Sequence, residues 1–154
     1  MPVIAAVDQS ERATTVVKRA AELAERYDAE LHVVHVGDPT IDFTEVSEEA
    51  LRNREDDAVH DLVESVQADA ADIAKQIGRD VEGVDEFEAV GLVGDPAEVI
   101  RSYATEQNAD YIVVSGRKRR ALGQALFGSV SQSLLLNADR PVVSVPYDPA
   151  SETT

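Results

Sequence analysis

Five short runs rich in β-branched and aromatic residues recur along this chain, with a helical pattern between each run and the next. The runs are Val3 to Val7, Leu31 to Val36, Phe87 to Val90, Tyr111 to Val114 and Pro141 to Val145. Parallel strands need long crossovers, usually helices, and become buried on both faces once those helices pack. The alternation therefore predicts an α/β fold: a single doubly wound domain with a five-stranded parallel sheet and four helices, Rossmann-like in outline. A length of 154 residues suits one such domain. No internal repeat or linker divides it, so the domain is expected over residues 1–147, with a polar tail at 148–154 that frays.

The helical segments carry their own signals. Ala13, Val16, Val17, Ala20, Leu23 and Ala24 recur at helical spacing. From Glu48 a longer pattern places Val59, Leu62, Val63, Val66, Ile73 and Ile77 on one stripe, with Gly78 and Gly83 expected to break it. Asp95 can cap a third helix, Pro96 suits its first turn, and Glu98 completes a capping box. Gly128 to Asn137 reads as the last helix. Between the second run and the long helix, Gly37-Asp38-Pro39 opens a loop of about ten residues through Thr40 and Phe43, longer than most connections.

In an open α/β sheet, ligands sit outside the carboxyl ends of the strands, where the strand order reverses. Asp8, Val36-Gly37 and Ser115-Gly116 all fall at such ends. The last is followed by Arg117-Lys118-Arg119-Arg120 and then by Gly128-Ser129-Val130-Ser131. The chain has 30 acidic residues against 14 basic ones, yet four of those 14 stand side by side. Cations beside the start of a helix favour an anion such as phosphate. A solvated loop that balances local acidity would use the same residues, but the strand-end position favours the anion.

Composition removes several other functions. The chain has no cysteine, so disulfides, thiolate metal sites and thiol catalysis are excluded. His32, His35 and His60 are too scattered for a zinc site, and His35, inside an apolar run, reads as a buried, hydrogen-bonded side chain. A net charge of −16 opposes binding to nucleic acid or to anionic membranes. No apolar run approaches the ~20 residues of a membrane span. Met1 to Asp8 lacks the basic region and long apolar core of a signal peptide, so the expected location is cytoplasmic. Such acidity, with lysine only at 18, 75 and 118, predicts a halophile-type protein whose self-repulsion is screened by salt. Its melting temperature should climb steadily from dilute buffer to molar KCl; a flat response would refute this.

Taken with these features, the chain resembles the universal stress protein family. The resemblance rests on the acidic residue after the first strand, His35-Val36 closing the second, and Gly94-Asp95-Pro96 before the third helix. Most specific is the end of the fourth strand. ATP-binding members carry glycine, two residues, glycine, nine residues, then glycine and serine or threonine. Here the spacing is kept and Gly128-Ser129 is present, while Ser115 and Lys118 stand at the first two glycine positions. The resemblance implies ATP, with AMP or ADP as alternatives, and a magnesium ion. It implies that Ala6, Val7, Asp8 and Val36 line the base and sugar. Ser115, Gly128, Ser129, Val130 and Ser131 would then meet the phosphates, with Lys118 supplying a cation, and Val114 and Gly116 complete the nucleotide-binding set. It also implies a homodimer through Pro141 to Val145 and a protein partner still to be identified.

Catalytic arrangements are not supported. No histidine sits at a strand end beside a candidate serine, and nothing reads as a P-loop. The expected function is a nucleotide-binding regulatory protein with at most slow hydrolysis. The alternative is a member that has lost nucleotide and acts as a dimeric interaction module.

Overall fold

A central strand, β1 (Val3–Val7), has β2 (Leu31–Gly37) and then β3 (Glu88–Val93) on one side. On its other side lie β4 (Tyr111–Lys118) and, beyond that, β6 (Val142–Tyr147), and all these pairings are parallel. A two-residue strand, β5 (Ala125–Leu126), runs antiparallel to the end of β4. The computed structural model describes residues 1–37, 55–118, 125–126 and 129–147. The expected loop around Thr40 and Phe43, the Arg119–Arg120 pair, Gly128 and the tail lie outside them.

The five parallel strands and four helices are those the alternation predicts. Among the described residues the helices are α1 (Ala13–Arg26), α2 (Glu55–Arg79), α3 (Pro96–Glu106) and α4 (Ser129–Asn137). Strand β4 differs from expectation: it continues past Val114 to Lys118, so Ser115-Gly116-Arg117-Lys118 is strand rather than loop. The continuation is held on one edge by β6, up to Arg117 opposite Tyr147.

Two cores lie on opposite faces of the sheet. Under α1 and α2, Val3, Ala5, Val7, Val33 and Val113 pack against Val16, Val17, Ala20 and Ala74. On the other face Ile4, Val34, Ile112 and Val114 meet Ile100 and Ala104 of α3 and Leu134 of α4. Ile4, Ile112 and Leu134 are among the largest fully buried side chains, each contributing about 1.5–3 kcal/mol. Helix α1 begins with no side-chain cap. Helix α3 starts as expected, with the Asp95 side chain accepting from the Glu98 amide at 3.2 Å. Gly94 before it has φ +136°, a conformation that favours glycine.

Helix α2 corrects one expectation. Gly78 does not break it but lies within it. A Cβ at 78 would stand 2.5 Å from the Phe87 ring. Among the helix positions whose burial is described, Ala70, Ala74 and Gly78 are the buried ones, so small residues four apart bring its backbone close to β2 and β3. Among the described residues no helix is long and apolar enough to cross a membrane.

Candidate functional site

Strand order reverses between β1, from which the chain moves outward to β2 and β3, and β4 on the opposite side. At this switch point the ladder is incomplete. Strand β1 pairs with β4 only from Val3 opposite Tyr111 to Ala5 opposite Val113. Its pairing with β2 continues to Val7 opposite His35. Arg117 pairs with Tyr147 of β6 and also with Leu126 of β5. A strand residue has one neighbour on each edge, so β5 occupies the edge of β4 that β1 has left. Between the two partners, Val114, Ser115 and Gly116 have no strand pairing on that edge among the described residues, which leaves a gap in the ladder. From Val113 to Arg117 that gap measures roughly 13 Å at strand rise.

Helix α4 is docked on the gap. The Ser131 hydroxyl donates to the Ser115 carbonyl at 2.9 Å, and Ser131 is buried. The first amides of a helix have no partner inside it and carry its positive end. Ser129, exposed at the start of α4, thus presents anion-binding groups beside the gap. No acidic residue occupies that first turn.

On the β1 side, Asp8 follows the strand and is held in a tight local arrangement. Its Oδ1 accepts from the Ser10 amide at 2.9 Å and from the Ser10 hydroxyl. Its Oδ2 faces Nη2 of Arg12 at 3.6 Å. Partial burial on its own would raise the Asp8 pKa; the Ser10 hydrogen bonds and the Arg12 charge outweigh it and leave the group below its ordinary value. Arg12 is itself largely buried, with its side chain 17% exposed, and its Nε is a buried donor without a partner among the described residues. An unsatisfied buried donor costs about 1–3 kcal/mol, whereas an exposed ion pair returns roughly 0.2–1 kcal/mol. The pair with Asp8 does not justify burying Arg12 by stability alone.

The predicted residues distribute around this gap in distinct ways. Ala6, Val36 and Val130 are half-buried and pack with Val114 in the core beneath α3 and α4. Val7 and Val114 bury their side chains, so they can offer a ligand only backbone. His35 is buried and its Nδ1 donates to the Val7 carbonyl at 2.9 Å, as its place in an apolar run implied. Gly116 is buried in β4, and Lys118 ends that strand opposite Ala125. The Ser131 hydroxyl proton is committed to Ser115, leaving its backbone for an anion. Sequence reasoning missed Ser10 and Arg12 as partners of Asp8. The signal was available in the spacing, since an Asx-turn places a donor two residues after its aspartate.

Among the described residues no group of three or more histidine, aspartate or glutamate side chains is placed to hold a metal ion. A cavity of about 790 Å³ lies at the opposite end of the strands, by the amino ends of β2 and β3, lined by Glu25, Asp28, Glu30, Asp85, Glu86 and Glu88 among others. That lining repels phosphate. Beside it His32 is buried, its Nδ1 2.7 Å from the Tyr103 hydroxyl and its Nε2 near Glu30 and Glu88. Burial, followed by these carboxylates and Glu106, pushes the Tyr103 pKa up to about 12. The size of this cavity does not outweigh its charge, and the gap at the switch point is the better candidate.

Comparison with known proteins identifies the family. The model of the universal stress protein family matches residues 1–146. A universal stress protein of Thermus aquaticus is 34% identical over 140 residues, 90% of each chain. Among solved structures, a universal stress protein from Archaeoglobus fulgidus is 30% identical with a TM-score of 0.59, covering 94% of this chain and 97% of the other. The universal stress protein from Archaeoglobus fulgidus in complex with dAMP is 28% identical, with a TM-score of 0.55 and coverage of 94% and 96%.

Proposed function

The chain belongs to the universal stress protein family, and on that premise we propose that it is a regulatory protein of the stress response that binds an adenine nucleotide at the switch point. The observation that carries this reading is the gap on β4 at Val114–Gly116 with the first turn of α4 fastened to it. An apolar floor of Ala6, Val36 and Val130 suits a base. The Asp8 carboxylate suits a hydroxyl or amino donor, and the amides opening α4 suit phosphate. A relative that binds dAMP supports an adenine mononucleotide as the minimal ligand.

ATP is the favoured occupant, with ADP and AMP as shorter ones, and Lys118 and the amides of Ser129 to Ser131 would hold its phosphates. Magnesium would enter on the phosphate oxygens, a mode it favours over protein cages; no such cage stands among the described residues. The role is binding that changes conformation or partner affinity, with hydrolysis at most slow. The two histidines whose side chains are described are engaged, one with the Val7 carbonyl and one with Tyr103. Replacement of two motif glycines by Ser115 and Lys118 favours a second reading, a dimeric interaction module without nucleotide. Isothermal titration with MgATP at high salt decides between them. Saturable heat with a Kd in the micromolar range supports the first, and no binding tighter than millimolar supports the second.

Strand β6 pairs with β4 on one edge and, among the described residues, with no strand on the other. Its run from Pro141 to Val145 would be an aggregation liability if left open. A homodimer through this edge covers it. Light scattering at working salt should return twice the chain mass, and a monomer would refute the dimer.

A further inference from the structure

The surroundings of Asp8 carry a conclusion that rests on the nucleotide reading and goes beyond it. One carboxylate oxygen is saturated by the two Ser10 donors. The other makes a long, charge-assisted contact of 3.6 Å with Arg12. Among the described residues no closer partner is placed on that oxygen, and the side chain is 57% exposed. Arg12 keeps a buried Nε without a partner among the described residues, an arrangement that costs stability rather than supplying it. We propose that Ser10 and Arg12 are positioning residues, which fix Asp8 as a rigid acceptor for a hydroxyl or amino group of the bound nucleoside. The arrangement divides the site into an acceptor end that repels phosphate and the positive end of α4 that attracts it. It selects ligands with a neutral donor group at one end and an anion at the other.

Among the described residues Ser10 supplies the larger hydrogen-bonding contribution to Asp8, and Arg12 adds its charge and a weaker hydrogen bond. Together they hold the Asp8 pKa below its ordinary value. For a lowered carboxylate, the anion's contribution is present above the unperturbed value of about 3.9 and is lost as pH falls through the lowered folded value. Removing the donors should move that loss upward in pH.

Arg12→Met tests this, because methionine retains an apolar stem while deleting the charge. Three quantities are measured for the wild type, Arg12→Met and Ser10→Ala: nucleotide affinity, its pH profile, and the Asp8 carboxylate titration by carbon-detected NMR. The expected result is a five- to tenfold loss of AMP and ATP affinity (roughly one order of magnitude at most). The Asp8 titration should shift upward in both variants, and Arg12→Met should melt no lower than the wild type. Arg12→Lys should restore part of the affinity. Wild-type binding with unchanged affinity and pH profile in Arg12→Met would overturn the positioning role while leaving the nucleotide reading intact. An Asp8 titration unmoved in both variants would overturn it as well. A wild type that binds no nucleotide would overturn both.

Discussion

Ser129→Glu is expected to abolish nucleotide binding while leaving the fold at least as stable as before. Ser129 is exposed at the first position of α4, and no acidic residue occupies that turn. A carboxylate there meets the positive end of the helix and should stabilise it by about 0.3–1 kcal/mol. The same carboxylate stands where the account places a triphosphate. Like charges at that distance cost several kcal/mol in an interface, so affinity should fall by roughly 100-fold or more. The two effects have opposite signs, which separates a binding defect from a folding defect. A thermal melt alongside titration with MgATP makes the comparison. Wild-type affinity in Ser129→Glu would remove the phosphate from the start of α4.

Gly91→Val should be the most damaging single change to the fold. Gly91 lies in β3 where α2 crosses it, and a Cβ would overlap the Gln67 carbonyl oxygen and stand 2.5 Å from the Ala71 amide nitrogen. Both atoms belong to helix backbone, which cannot swing aside as a side chain can. Relief requires lifting α2 off the sheet, opening the core that Ala74 shares with Val33 and Val3. The cost should reach about 4 kcal/mol, beyond ordinary overpacking, against a total stability of roughly 5–15 kcal/mol. A fall in melting temperature of roughly 10 °C or more follows for a chain of this size. Gly83→Ala is the control. Its φ of +88° strains an alanine, but nothing lies within 4 Å of the added carbon, so the loss should stay near 1–2 kcal/mol. If both variants melt alike, close packing at Gly91 is not the reason for its glycine.

The sheet could be read from the chain because each parallel strand is a local apolar run and each crossover a local helical period. Both patterns exist before any tertiary contact forms. Gly78 was misread for the opposite reason. A glycine that admits Phe87 looks the same in sequence as a glycine that ends a helix, and only the partner distinguishes them. The length of β4 was hidden in the same way. Ser115-Gly116-Arg117-Lys118 has turn-like composition, yet it remains extended because β6 pairs alongside it as far as Tyr147.

At the site, the strand-end positions were legible in the sequence, but their convergence depends on β1 and β4 being neighbours, which the structure supplies. Ala6, Val36, Val114 and Val130 share one cluster. The Ser131–Ser115 bond could not be foreseen, because it depends on where α4 lands on β4. The Asp8, Ser10 and Arg12 grouping is local in sequence, so its Asx-turn was readable. The burial of Arg12 was not, since it depends on the packing around α1.

Amide-resolved NMR of the labelled protein titrated with MgATP tests the central claim most directly. The account predicts that the largest shifts fall on Val7, Asp8, Val114 to Gly116 and Ser129 to Ser131, on both sides of the gap in the sheet. Shifts clustered instead around Glu25, Glu30 and Glu88 at the amino ends of β2 and β3, or no saturable shifts at all, would contradict it.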